Sequence, residues 1–159
     1  MPRFIHKVLA SGFGAGYSPI APGTAGAVVA CLMLLVLHGW LPEVFATEWR
    51  LASVPGFVGL IVGFFLIGLV TADALEISWG KDPSRVVIDE MVGMWISLLW
   101  IPFRWPYLLA GFVLFRIFDI WKPLGIRRAE RWKGGWGVMM DDVLAGVYAN
   151  AVLQLIVRA

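Results

Sequence analysis

The residues of this sequence best suited to chemistry are carboxylates that flank uncharged stretches. Asp89 and Glu90 precede one such stretch, Asp141 and Asp142 precede another, and Asp119 follows a third. Carboxylates brought together repel one another unless a cation or protons compensate their charge. Oxygen-only clusters of this kind suit a hard cation such as Mg²⁺. We therefore expect all five to be Mg²⁺ ligands or to orient an attacking water, with Glu90 as a ligand or general base. All but Asp141 are also predicted catalytic residues.

Cationic side chains accompany these acids. Arg116, Asp119 and Lys122 follow one another at intervals of three and fall on one stripe of a helix. The stripe has two interpretations: a self-neutralising ladder of ion pairs, or a site in which Asp119 faces metal while the two cations hold phosphate. Lys133 is a further candidate phosphate ligand.

The segment 12–26 is rich in glycine and could cradle an anion with its backbone N–H groups, as phosphate loops do. Gly23 and Thr24 would complete such a phosphate pocket, and Thr24 is the alternative nucleophile. The same glycines also suit close packing of helices, as Gly12 and Gly16 illustrate.

Other phosphatase chemistries lack their residues. His6 and His38 are the only histidines, so no histidine-nucleophile site with a second histidine and arginine can form. Cys31, the only cysteine, lies in an apolar run and lacks the arginine that a thiolate phosphatase places after it. Carboxylate-bound metal with arginine and lysine remains, a combination suited to phosphoryl chemistry.

The composition indicates the elements that must position these residues. Of 159 residues, 60% are hydrophobic and 15% are charged, whereas soluble domains are about 45–50% apolar and about 25% charged. The mean hydropathy is +0.80. Disordered chains have the opposite composition, and a net charge of +2 is too small to indicate nucleic-acid binding. We expect an integral membrane protein of one domain, residues 1–159.

Spanning helices need about 20 mostly apolar residues. Two uncharged stretches reach that length directly, and three more reach it only if ionisable residues lie near one helix end. We expect an all-α membrane bundle of four to five hydrophobic segments, after a glycine- and proline-rich interfacial segment at 12–23. The predicted segments are 24–41, 54–71, 86–102, 105–120 and 138–157.

The basic residues predict the orientation. Residues 120–140 carry five basic residues against one acidic residue, a net of +4, whereas the loop 42–53 has a net charge of −1. Basic segments stay cytoplasmic, so seven of the eleven acids gather at the cytoplasmic face. The side of the C-terminus stays open. The remaining acids, assigned to loops, are Glu43, Glu48, Asp82 and Glu130.

Four blocks carry a resemblance to a known family: GAGYSPIAPGTAG at 14–26, VIDEMVGMWIS at 87–97, FRIFDIWKP at 115–123 and GGWGVMMDDVLAG at 134–146. In this order they resemble phosphatidylglycerophosphatase A, a bacterial membrane enzyme family. One departure is Gly125, where the family commonly has proline.

The resemblance implies removal of the terminal phosphate of phosphatidylglycerophosphate, giving phosphatidylglycerol. It also implies Mg²⁺ dependence, the bacterial inner membrane and an active site on the cytoplasmic side. The basic segment 127–133 is expected to meet anionic lipid headgroups.

Two other classes remain in view. A transporter or channel would use the buried acids for protons or cations and would distribute them across the membrane depth. A non-catalytic scaffold for lipid-synthesis enzymes would need neither the acids nor the glycines at these positions. The sequence leaves the oligomeric state open.

Overall fold

The computed structural model describes residues 3–40, 55–80, 83–123 and 125–159, and every regular element in these ranges is helical. The predicted all-α class is confirmed. Glu43, Glu48, Asp82 and the rest of the loop 42–53 lie outside the described residues. The elements are α1 Arg3–Ala10, a 3-10 turn Ala15–Tyr17, α2 Pro22–Trp40, α3 Pro55–Trp79, α4 Ile88–Ser97, α5 Trp105–Trp121, α6 Ile126–Ala129 and α7 Gly135–Arg158.

Three of the described helices are long and apolar enough to cross a membrane, namely α2, α3 and α7. The expected count of four to five is therefore too high for these ranges. The segment 86–102 is not one helix, because α4 ends after 10 residues and the chain turns at Trp100, where φ is +57°. α5, with 17 residues, is at the short end of the range of about 17–25 residues that crosses a bilayer core.

The short helix α4 forms the centre of the bundle. Nine of its 10 residues are buried, and α2, α3, α5 and α7 all pack against it. Gly146 of α7 lies so close that an added Cβ would be 3.1 Å from the Cα of Gly93 in α4. At the contact of α4 with α2, the indole N–H of Trp95 donates to the carbonyl of Ala30 at 3.0 Å. These contacts fix the position of α4 along the axes of α2 and α7.

The end of α4 inside the bundle is closed by amide side chains of α7. Asn150 donates to the carbonyls of Ser97 and Leu99 at 3.0 and 2.7 Å, and Gln154 donates to the carbonyl of Leu99 at 2.8 Å. In an apolar surrounding, backbone groups released at a helix end must find partners within the protein. Asn150 and Gln154 therefore allow a helix half the length of a span to end there.

The N-terminal segment covers the start of α4 and contains no helix long enough to span. The helix α1 packs on α3, and the N–H of Val87 donates to the carbonyl of Ala10 at 2.8 Å. Gly16 lies against the backbone of Arg85, where an added Cβ would be 2.8 Å from the carbonyl carbon. Gly12, which lies against Val87, and Gly16 thus serve close packing over the residues that lead into α4.

Candidate active site

Three predicted acids meet where α4 and α7 begin. Asp89 and Glu90 come from the first turn of α4, and Asp142 comes from the second turn of α7. One oxygen from each lies within 4.8 Å of the other two. Asp89 and Asp142 are 8% and 2% exposed. We call these three residues the carboxylate cluster.

The carboxylate cluster has oxygen atoms without protein partners. Oδ1 of Asp89 and Oε2 of Glu90 are buried, and no described residue donates a hydrogen bond to either. Buried polar atoms normally have partners, so an orphaned pair in one cluster suggests that something else binds there. Carboxylate oxygens alone are the ligand set that a hard divalent cation prefers. The residues present therefore fit Mg²⁺.

The charges of the carboxylate cluster also indicate a bound cation. Asp89 and Glu90 lie in α4, outside the three spanning helices. Burial is the largest cause that raises the pKa of each, to about 8 for Glu90. The next is the negative charge of a neighbour: Glu90 acts on Asp89, and Asp142 acts on Glu90. A cation held between them would favour the charged forms again.

Asp119 and Arg116 border the cluster from the last turns of α5. They form an ion pair with each other, and their side chains are mostly buried, at 12% and 15% exposed. The Asp119 carboxyl group is also a close neighbour of Asp142. Nε of Arg116 is buried and has no hydrogen-bond acceptor among the described residues. Arg116 is thus fixed by one partner, with a further N–H group free to bind an anion.

Lys122 and Asp141 form a separate group of ion pairs beside the cluster. Lys122 ends α5 and bonds both Glu130 and Asp141, the latter at 2.6 Å. Burial by itself would lower the pKa of Lys122, but the hydrogen bonds and charges of these two partners outweigh it and raise the pKa above its ordinary value. Asp141 also accepts the backbone N–H of Asp142 at 3.0 Å. Asp141 is therefore directed towards Lys122 and is not one of the three clustered carboxylates.

Glu130 is the residue of this group that sequence reasoning missed. It was assigned to a loop, yet the chain returns through α6 and brings it onto Lys122. The i, i+3, i+6 stripe of α5 divides accordingly: Arg116 pairs with Asp119 on the stripe, whereas Lys122 pairs with residues beyond it. A basic residue eight positions before a lone acid was the only sequence signal for this pair.

Gly23 brings the start of α2 against the site. A Cβ built on Gly23 would lie 3.1 Å from Cδ of Glu90 and 3.2 Å from Nη1 of Arg116, and closer still to Oε1 of Glu90. Thr24 is half-buried and lines a neighbouring cavity of about 700 Å³ together with Tyr17 and Ser18. The structure thus places Gly23 at the cluster and Thr24 beside it.

The turn before α7 holds the last predicted residue. Lys133 is exposed there, and the described contacts of the cluster do not include it. The neighbouring Gly135 donates its N–H to Asp73 of α3 at 2.6 Å. Asp73 therefore caps α7 and fixes where that helix starts. This position in turn sets the direction in which Asp141 and Asp142 project.

Comparisons with known proteins identify the family of this chain. The family model described as phosphatidylglycerophosphatase A matches residues 8–157. A protein of Bacteroides thetaiotaomicron named "Putative phosphatidylinositol-3-phosphatase" is 53% identical over 97% of this chain and 94% of its own length. Proteins named phosphatidylglycerophosphatase A are 40% identical in Escherichia coli, over 94% of this chain and 81% of the relative, and 38% identical in Haemophilus influenzae, over 92% and 85%. No solved structure matches the chain significantly. This chain therefore belongs to the phosphatidylglycerophosphatase A family.

Proposed function

We propose that this protein is a Mg²⁺-dependent lipid phosphatase of the bacterial inner membrane. It hydrolyses the terminal phosphomonoester of phosphatidylglycerophosphate to phosphatidylglycerol and phosphate, at the cytoplasmic face, in phospholipid synthesis. The observation that carries the proposal is the buried carboxylate cluster, with its orphaned oxygens, beside the partly unpaired Arg116. The family of the chain supports the substrate.

Each residue has a task in this reaction. Asp89, Glu90 and Asp142 hold the cation, which when bound supplies an activated water and neutralises phosphate charge. Glu90 is the candidate general base, because its buried Oε2 has no hydrogen-bond partner among the described residues and can accept a proton from the water. Asp119 orients Arg116, whose remaining N–H groups bind the phosphate oxygens as charge develops on them.

The first turn of α2 supports the phosphate from the other side. Gly23 has no side chain, so its backbone N–H can approach an anion near Arg116. Thr24 places a hydroxyl group beside the site, but the nucleophile that we favour is the activated water. Lys122, held by Asp141 and Glu130, balances one of their two negative charges beside the site. Lys133 is exposed and meets the lipid headgroups.

A second substrate class is favoured by one observation, the name of the 53% identical relative. A phosphatidylinositol 3-phosphate and a phosphatidylglycerophosphate both present a phosphomonoester on the headgroup of a glycerolipid. The same cation and arginine would serve either, so the choice depends on the headgroup that fits beside Thr24 and Arg116.

A transporter or channel is not favoured. Carboxylates that carry ions across a membrane would follow one another through its depth. In the described residues, the carboxylate cluster lies at one end of the bundle, where α4 and α7 begin and α5 ends.

The test is phosphate release by the purified protein in detergent micelles. Phosphatidylglycerophosphate, phosphatidylinositol 3-phosphate and soluble glycerol 3-phosphate are compared, each with Mg²⁺ and with EDTA. We expect Mg²⁺-dependent release from the first lipid, with EDTA reducing the rate at least a hundredfold. A higher rate with phosphatidylinositol 3-phosphate would change the proposed substrate but not the proposed site. Equal rates with Mg²⁺ and EDTA would contradict the metal assignment.

A further inference from the structure

A groove in the surface of the bundle runs between α2 and α5 and leads towards the site. It has a volume of about 270 Å³ and an entirely apolar lining. Val28, Cys31 and Leu32 line it from α2, while Leu109 and Phe112 line it from α5. The groove exists because α2 packs on α4 through its small residues, and Trp95 of α4 bonds to Ala30.

Both walls of the groove continue directly into residues of the site. Val28 also lines the cavity that contains Thr24, one helical turn nearer the cluster. Phe112 also lines a hollow of about 330 Å³ that contains Arg116, again one turn nearer. A molecule lying in the groove would therefore have the end nearest the carboxylate cluster between the start of α2 and Arg116.

The length of the groove and its continuity with the site define its occupant. From Thr24 to Leu35, the lining of the cavity and groove follows twelve residues of α2, whose eleven rises of 1.5 Å span roughly 16 Å. A bilayer core is about 30 Å thick, so this length is close to one leaflet. Beyond Leu35 the groove meets a further hollow of about 200 Å³, whose lining includes His38 and Phe103. The cavity and the groove together have about the length of one acyl chain, and Arg116 lies one turn beyond Phe112 on the side of the site.

We infer that one acyl chain of the phosphate-bearing substrate lipid lies in the α2–α5 groove, and that the lipid enters the site sideways from its leaflet through this groove. The inference rests on the proposed function for the identity of the lipid. Another hollow, about 220 Å³ between α3, α4 and α7, has only apolar lining and does not include Arg116 or Thr24. It is the alternative position for the chain, and the two positions give different results below.

Photolabelling tests the position without turnover. The probe is a phosphatidylglycerophosphate analogue with a diazirine halfway along one acyl chain, added to the wild-type protein in micelles. We expect labelled peptides to come from residues 28–35 and 105–112, and unlabelled phosphatidylglycerophosphate to reduce the labelling. Labels confined to α3 and α7, or spread evenly over all helices, would overturn the inference.

Kinetics with a matched pair of variants give the second test. Leu32→Trp fills the groove, whereas Leu66→Trp places the same ring on α3, which does not line it; the two leucines are 53% and 54% exposed. For Leu32→Trp we expect the KM for dioleoyl phosphatidylglycerophosphate to rise at least fivefold while the KM for the dihexanoyl form is unchanged. Leu66→Trp changes neither. Equal KM values for the dioleoyl lipid in the wild type and Leu32→Trp would contradict the groove assignment.

The two hypotheses fail separately. If the wild-type protein releases phosphate from neither lipid, the proposed function is wrong, but the labelled peptides still decide where the chain lies. If phosphate is released and the labels lie on α3 and α7, the function stands and the groove assignment is wrong.

Discussion

The substitution Gly23→Ala tests the site with the smallest chemical change, one methyl group. The added Cβ would lie 3.1 Å from Cδ of Glu90 and 3.2 Å from Nη1 of Arg116, and closer still to Oε1 of Glu90. Nonbonded carbon atoms prefer about 3.5–4.0 Å, so the Glu90 carboxylate must move by about 1 Å. The end of a side chain moves at little cost in stability, but a catalytic group misplaced by about 1 Å can lose about a hundredfold in rate. We expect kcat/KM to fall by about that factor and the Mg²⁺ concentration for half-maximal activity to rise.

Gly39→Ala provides the matched control on the same helix. Gly39 is exposed, and among the described residues no atom lies within 4 Å of a Cβ built there, apart from its chain neighbours and its own helix backbone. Both substitutions favour the helical conformation, since alanine is the better helix former. Activity is measured as phosphate release over a Mg²⁺ titration, with thermal unfolding in detergent as the check on folding. Gly39→Ala should stay within twofold of the wild type. A Gly23→Ala protein with wild-type rates and an unchanged Mg²⁺ requirement would refute the placement of Glu90 against α2.

Two further substitutions test the supports of the site. Asn150→Leu leaves the carbonyl of Ser97 without the amide that bonds it, which costs about 1–3 kcal/mol, so the unfolding temperature should fall by several degrees. The fall should be smaller for Gln154→Leu, because the carbonyl of Leu99 then keeps its hydrogen bond from Asn150. An unchanged unfolding temperature would contradict the role of Asn150 at the end of α4. Lys122→Met removes the cation between Asp141 and Glu130. Because the pKa of Lys122 is raised in the folded protein, the stability that Lys122 contributes is fully present below its ordinary pKa of 10.5. This stability is lost only as the pH rises through the higher pKa of the folded protein. The difference in unfolding temperature between the wild type and Lys122→Met should accordingly be constant from pH 7 to pH 9, and a difference that vanishes in this range would refute the pairing.

The sequence predicted that five acids would gather, and three of them form the carboxylate cluster, for a simple physical reason. Charges avoid the apolar interior of a membrane protein, so acids at the ends of uncharged stretches must lie at helix ends that share a face. Asp89, Glu90 and Asp142 meet in the structure in this way. The helical class followed from the same apolar stretches and is confirmed.

The length of α4 could not be predicted in the same way. Hydropathy registers that 86–102 is apolar, but a buried half-helix and a spanning helix have the same composition. The difference depends on Asn150 and Gln154, which close the helix end from more than 50 residues away along the chain. Two amides on a distant helix give no signal that they cap this one.

The partner of Lys122 was missed because it depends on tertiary structure. The helix α6 turns the chain back, so that Glu130 and Asp141 reach the end of α5 from two directions. Helical spacing describes only neighbours within one helix, so it offered Lys122 as a free phosphate ligand beside Arg116. The close approach of Gly23 to Glu90 likewise depends on how α2 and α4 cross.

The central claim is that the buried carboxylates hold a cation that is required for phosphate release. The most direct measurement compares Glu90→Gln and Asp142→Asn with Glu76→Gln, a carboxylate change near the end of α3 and outside the cluster. Phosphate release from phosphatidylglycerophosphate is measured over a Mg²⁺ titration for each folded protein. We predict at least a thousandfold loss of kcat in the two cluster variants and wild-type behaviour for Glu76→Gln. Full activity in both cluster variants, at the same Mg²⁺ requirement as the wild type, would contradict the account.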